Sequence, residues 1–188
     1  IDNEGNGVVW TDIAGSGESG NYTGGAGDAA TVSSDRAGAV EYDTELRTTP
    51  FDLGGWMSSD QITLEYLVNY QNFAFRDFLD LDISADGGAT WTTLLSWNED
   101  HGGFRSAPGE AVSVDLSPYA GMNGLQLRWR YYDPTAGADY DWYAQIDDVV
   151  LSCTHLPLIG VGGIDSVDTA WAKITAGASA VGFAGWPA

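Results

Sequence analysis

Alternation of apolar and polar residues with a period of two dominates most of the chain. Residues 61–70 (QITLEYLVNY) place Ile62, Leu64, Tyr66 and Val68 on one face, and residues 77–84 set Leu79, Leu81 and Ile83 against Phe78, Asp80 and Asp82. Successive side chains of a pleated strand point to opposite faces, so this pattern predicts half-buried strands. Residues 91–97 follow across Asp86-Gly87-Gly88, a hairpin signal. Residues 125–132 alternate Leu125, Leu127, Trp129 and Tyr131 with Gln126, Arg128, Arg130 and Tyr132, and residues 142–151 close the series. Weaker strands are expected over 8–13, 38–43 and 111–116. Short strands, Gly/Pro-rich turns and no amphipathic helix before residue 153 predict an all-β sandwich over residues 1–152.

The pattern then changes. Residues 156–161 read as a short apolar strand broken by Gly162-Gly163. Asp165 or Ser166 is placed to cap a helix reaching about Thr175, with Val167, Ala170, Trp171 and Ile174 on one stripe, and residues 178–183 form a second strand. Residues 153–188 are thus expected to be a short β-α-β-like C-terminal appendage, docked on the sandwich rather than an independent domain.

Charge sharpens the boundary and narrows the partners. The 188 residues hold 27 Asp and Glu against 7 Lys and Arg, a net charge of −20, yet the appendage contributes only Asp165, Asp168 and the single lysine, Lys173. A field of this sign repels phosphate, which excludes nucleic acid and anionic membrane surfaces as partners. No apolar run approaches the ~20 residues of a membrane-spanning helix. Cys153, the single cysteine, rules out an internal disulfide framework, and two histidines leave little for a histidine-rich metal site. The chain opens on polar, glycine-rich sequence without a signal-peptide pattern; for an exported protein this describes a mature form or a fragment.

Residues 43–151 carry LRTTPFDLGG (46–55), FLDLDISADGGATWTTL (78–94), VDLSPYAG (114–121), LQLRWRY and QIDDVVL (145–151) in consistent order. They resemble the bacterial extracellular jelly-roll domains of the MAM-like and choice-of-anchor type. The resemblance implies a secreted or cell-surface, non-catalytic jelly-roll sandwich, stabilised by metal, that binds glycans or partner proteins. Ile1-Asp2-Asn3-Glu4 is similar to the Asp-x-Glu that opens such domains. Residues 156–181 (LPLIGVGGIDSVDTAWAKITAGASAV) instead resemble the C-terminal part of the dihydroorotate dehydrogenase barrel, where a glycine loop, matched here by Gly160, Gly162 and Gly163, holds the flavin phosphate at a helix start. A flavin site needs the remaining barrel strands, so no FMN is expected.

Asp148 is the sharpest single clue. On a regular strand it shares a face with Ala144, Ile146 and Val150, and a buried carboxylate requires a cation or several donors. Calcium, an oxygen-seeking ion, fits a shell of Asp147 and Asp148 completed by Asp2 or Glu4; the alternative is a carboxylate accepting backbone N–H groups at a sheet edge. Ser84 to Trp91 fits the Asp-box pattern of sialidase propellers, and a single copy reads as a folded hairpin in which Asp86 binds turn amides. Glu41, Asp43 and Glu45 share a strand face and suggest a jelly-roll glycoside hydrolase. Retaining enzymes, however, hold their carboxyl pair ~5–5.5 Å apart, whereas i, i+4 on a strand spans roughly 13 Å. No Gly-x-Ser-x-Gly nucleophile elbow accompanies His101 or His155.

The surplus aromatics are the remaining candidate. Phe78, Trp97, Tyr132, Tyr140 and Trp142, with Arg128 and Arg130, form an expected carbohydrate face in which rings stack on sugars and guanidinium groups bind hydroxyls or acids. The alternative is that both arginines pair with Asp80 and Asp82 across the sheet and the rings fill the core. Loop 133–141 is the expected variable binding loop. The sequence thus predicts an extracellular binding module for a polysaccharide or glycan with a structural calcium. The alternatives are an adhesive domain contacting another extracellular protein, or the hydrolase.

Overall fold

The computed structural model describes residues 1–135 and 141–154 in full and the backbone of two further strands, Leu158–Val161 and Ala178–Gly182. In chain order the elements are the short helix α1 (Ile13–Ser16), β1 (Ala30–Ser33), the short helix α2 (Ser34–Ala37), β2 (Asp43–Arg47), β3 (Gln61–Gln71), β4 (Phe78–Ser84), β5 (Thr92–Trp97), β6 (Glu110–Asp115), β7 (Gln126–Tyr132) and β8 (Tyr143–Thr154). Two antiparallel four-stranded sheets, ordered β1-β8-β3-β6 and β2-β7-β4-β5, pack as a sandwich. The strongly alternating segments are the central strands. Of the weak ones, 111–116 forms as β6 within a residue, whereas residues 8–13 contribute an isolated bridge from Thr11 to Thr31, and the segment expected as a strand over 38–43 pairs instead as Asp43–Arg47. β8 continues through Cys153 and Thr154, opposite Ile62 and Gln61, past the expected limit at residue 152.

The core is built by the predicted inward faces. Ile62, Leu64, Tyr66 and Val68 meet Leu79, Leu81 and Ile83 and the β7 residues Leu127, Trp129 and Tyr131, all buried. Each such side chain contributes roughly 1.5–3 kcal/mol by leaving water. Large rings fill the space edge-on: Tyr66 meets Trp129 at 5.4 Å and 83°, and Tyr70 meets Tyr131 at 6.1 Å and 80°.

The hairpin after β4 forms as the sequence requires. Asp86 accepts from the amides of Ala89 and Thr90 at 3.0 and 2.8 Å, and these hydrogen bonds with those of Thr90 and Ser84 hold its pKa down at about 2. Gly87 and Gly88 take the positive φ the turn needs.

β8 departs from its expected alternation. Leu67 faces Asp147 and Glu65 faces Val150, so Asp148 and Val149 together oppose Tyr66, and Asp148 has φ 48°. This is a β-bulge with a left-handed residue, a conformation Asp tolerates better than most. Asp148 is therefore exposed and not buried with Ala144 and Ile146, and beyond it Val149, Val150 and Leu151 are exposed too. The expectation of a buried carboxylate at Asp148 fails because the bulge ends the period of two.

One close approach fixes the start of β6. A Cβ at Gly109 would stand 2.1 Å from the Val68 carbonyl oxygen and 3.1 Å from Thr23 Cα, while the Gly109 amide donates to the Thr23 carbonyl at 2.9 Å. Gly109→Ala is expected to cost more than about 2 kcal/mol, since backbone on both sides cannot yield; a urea midpoint unchanged from the wild type would refute this.

Strands Leu158–Val161 and Ala178–Gly182 pair in parallel. The helix expected between them, with Trp171 and Ile174, lies outside the described residues, as do Tyr140 and His155. Among the described residues no helix is long and apolar enough to cross a membrane.

Candidate functional site

The sequence-predicted site residues separate into three places. The first is the outer face of the sheet β2-β7-β4-β5. There Asp43, Tyr132 and Phe78 lie in one row, Glu45, Arg130 and Asp80 in the next, and Arg47, Arg128 and Asp82 in the third. Arg128 donates through Nε to Asp82 and through Nη1 to Glu45, both at 2.7 Å. Arg130 takes Asp43 in a two-pronged pair at 2.8 and 2.7 Å. The rings are covered by the same cations: Arg130 sits 4.0 Å over Tyr132, Arg128 and Arg47 sit 4.4 and 5.0 Å over Trp91, and Phe78 stacks on Tyr132 at 5.5 Å. Arg128 thus pairs with Asp82 as one reading expected, but Arg130 turns to Asp43 rather than Asp80. Burial, and then the charge of Asp80, pushes the Tyr132 hydroxyl up to about 12.

This face also holds two of the three hydrolase candidates. Burial works to raise the pKa of Asp43, but the hydrogen bonds and charge of Arg130 outweigh it; at Glu45 the bonds from Arg47 and Asn3 and the charge of Arg128 do the same. Both carboxyls are held low, the opposite of the raised pKa a general acid needs. Glu41 is exposed and lies before β2.

Trp97 is not on this face. A bulge in β5 leaves it opposite Leu79, half-buried against the core, with His101 stacked on it at 3.8 Å. The expected metal ligands are also divided. Asp2 bridges to Thr44 beside β2, and its carboxylate is taken by the amides of Gly5 and Gly7 at 2.8 and 2.7 Å, while Glu4 is exposed. Asp147 and Asp148 stand on the other sheet, where Asp147 accepts from Asn21 at 2.6 Å and Thr23 at 3.2 Å. A Cβ on Gly25 would lie 2.2 Å from Asp147 Oδ2 and 3.1 Å from Asp148 Oδ2, so this pair closes over glycine backbone. Among the described residues no three His, Cys, Asp or Glu side chains gather to hold a metal. A calcium ion shared by Asp2, Glu4, Asp147 and Asp148 does not fit this arrangement.

The second and most distinctive surface is one end of the sandwich, where the loops 72–77 and 98–109 meet at Trp142. Trp142, half-buried, is met edge-on by Phe73 at 5.7 Å and by Phe104 at 4.9 Å. Phe73, Phe75 and Phe104 are 40%, 73% and 49% exposed. Backbone strain accompanies them: Ala74, Phe75 and Arg105 all have positive φ, costly for residues with side chains. The strain is held by dense anchoring. Asn72 accepts from the Phe75 amide at 2.5 Å and donates to the Asp77 carbonyl at 2.7 Å. Asn69 donates to the carbonyls of Gly103 and Ser106, and Arg105 binds Glu18 through two bonds of 2.9 Å and Asp35 at 2.6 Å. Of the expected ligand-binding residues only Trp142 belongs here among the described residues. Phe73, Phe75 and Phe104 escape periodicity analysis because they sit in loops; the available signal was the Phe-Arg pair repeated at 75–76 and 104–105.

The third place lies beneath that end, where Asp77 and Asp141 are fully buried and Asp133 nearly so, with Tyr42, Tyr70 and Tyr131 around them. A cleft of about 550 Å³ elsewhere, near Asp60, Asp115 and Ser117, is lined without any aromatic ring. No protein-family model matches this chain, and a search of curated proteins found no similar sequence.

Proposed function

We propose that this chain is a non-catalytic extracellular binding module on a jelly-roll scaffold, with a glycan as its ligand. The strand orders support the scaffold reading, because the chain crosses from one sheet to the other at every connection between β1 and β8 except the β4–β5 hairpin, as in two interleaved Greek keys. The binding reading rests on the cluster of Phe73, Phe75, Phe104 and Trp142 on strained, anchored loops. Rings held this way are rigid platforms for sugar C–H faces, and Asn72, Arg76 and Asp100 supply a polar rim. The outer sheet face is a weaker candidate, because its guanidinium groups already serve its carboxylates and rings. The carboxyls of Asp43 and Glu45, held as anions, weigh against the hydrolase. The exposed run Val149, Val150 and Leu151 favours the second reading, an adhesive contact with another protein.

Affinity electrophoresis over neutral and acidic polysaccharides tests the choice. One polymer is expected to retard the protein, with Phe75→Ala and Trp142→Ala each weakening it about tenfold or more, as loss of an aromatic anchor does, and Tyr132→Ala leaving it intact. Retardation lost in Tyr132→Ala alone would move the site to the sheet face. Uniform mobility across the panel would favour the adhesive reading.

A further inference from the structure

We propose that the loop end of the sandwich binds a hard divalent cation, for which calcium is the probe, between the buried carboxylates of Asp77 and Asp141, with the Tyr131 hydroxyl facing the same space. Asp77 Oδ1 accepts the Phe73 amide at 2.8 Å, but its Oδ2 has no partner. Asp141 Oδ2 accepts the Tyr42 hydroxyl at 2.8 Å, and its Oδ1 has none. The Tyr131 hydroxyl, fully buried, makes no well-directed hydrogen bond and has the Tyr42 hydroxyl as its neighbour; its ring lies 4.7 Å from that of Tyr42 and 6.1 Å from that of Tyr70, whose own hydroxyl donates to the Asp77 carbonyl at 2.9 Å. Asp133 adds a further unpartnered oxygen, Oδ2, while its Oδ1 accepts the Thr135 amide at 2.6 Å. Buried carboxylates with an oxygen left unpartnered are rare in a folded protein, and each calls for a counterpart.

Two carboxylates in apolar surroundings either take up a proton or find a cation. Burial first, with the charge of Asp141 adding to it, pushes Asp77 up to about 7, and burial likewise raises Asp141, next to the charge of Asp133. The charge of Arg76 reaches Asp141 from the exposed loop, as the last of the influences on it. All the orphaned donors are oxygens, which selects calcium over softer metals. Because no three carboxylates stand together here among the described residues, water completes the shell.

The test combines thermal unfolding with terbium(III) luminescence excited through tyrosine. With chelator removed, calcium at about a hundredfold over its Kd is expected to raise the Tm by about 5 °C or more. Calcium is also expected to quench the sensitised terbium emission by displacement. Asp77→Asn is expected to melt higher than wild type in chelator at pH 8 and to gain nothing from calcium. Tyr131→Phe weakens calcium several-fold, while Asp147→Asn and Asp148→Asn keep the full increment. A wild-type Tm indifferent to calcium, with no displaceable emission, would overturn the proposal. So would an increment of wild-type size persisting in folded Asp77→Asn and Asp141→Asn. Should both fail to fold, an unweakened calcium response in Tyr131→Phe would overturn it instead.

Discussion

Arg128→Ala is expected to lower stability by about 3–5 kcal/mol, far more than a surface arginine normally costs. The guanidinium bridges Asp82, 1% exposed, and Glu45, 3% exposed, and covers the Trp91 ring. With it gone, Glu45 keeps Arg47 and Asn3, but among the described residues Asp82 keeps only the Thr93 hydroxyl at 2.6 Å, so a nearly buried charge loses the cation it pairs with. Arg128→Lys should recover only part of the loss, because an ammonium cannot span two carboxylates with a planar fork. Urea unfolding of the two variants checks both statements; an Arg128→Ala midpoint within error of wild type would refute the first. Glycan retardation of the folded Arg128→Lys protein should be unchanged, since Arg128 is spent on internal partners.

Glu18→Gln is expected to cost a similar 3–5 kcal/mol and to do so in a pH-dependent way. The Glu18 side chain is wholly buried, accepts both arms of Arg105 and the Ser33 hydroxyl at 2.9 Å, and lies 3.5 Å from Arg36. Burial works to raise its pKa, but the hydrogen bonds from Arg105 and Ser33 and the arginine charges outweigh it, so the folded value lies below the usual 4.5. The folded protein then binds fewer protons than the unfolded chain in that interval. The stability Glu18 contributes is present above about 4.5 and is lost as pH falls through the depressed value. The gap between wild type and Glu18→Gln should therefore be full at pH 6 and shrink in acid, which urea midpoints at several pH values would show. A gap constant down to pH 3 would contradict it. Asp77 has the opposite sign: its folded pKa is raised from 3.8 to about 7, so without a cation its contribution falls as pH rises through that window. Because the Arg105 guanidinium also lies 5.0 Å over the Phe104 ring, Glu18→Gln should loosen the aromatic end and weaken glycan retardation as well.

The central strands were legible because their burial follows a single rule: Ile62 to Val68, Leu79 to Ile83 and Leu127 to Tyr131 alternate without interruption. What escaped was every place where one residue breaks that rule. The bulge at Asp148 turned a carboxylate outward, and the extra residue in β5 between Thr93 and Leu95 put Trp97 toward the core. The partner of Arg130 was misassigned for another reason. Asp80 was visible as its neighbour on β4, but β2 was expected over 38–43, and the register that brings Asp43 beside β7 is a long-range fact. The loop aromatics and the buried Asp77 and Asp141 depend on how separate loops meet, which no local periodicity encodes.

The position of β8 has a consequence for how the protein is made. It lies between β1 and β3, and among the described residues β1 has no other strand partner. A chain emerging residue by residue from the ribosome can pair β3 with β6 and assemble β2, β4, β5 and β7, yet one sheet remains split until residues 143–154 appear. Until then the edges of β1 and β3 are open to neighbouring chains, with contacts of long sequence separation still to form. Nascent chains stalled before residue 143 should be bound by chaperones and cut by proteases, and emergence of the twelve-residue β8 should abolish both at once.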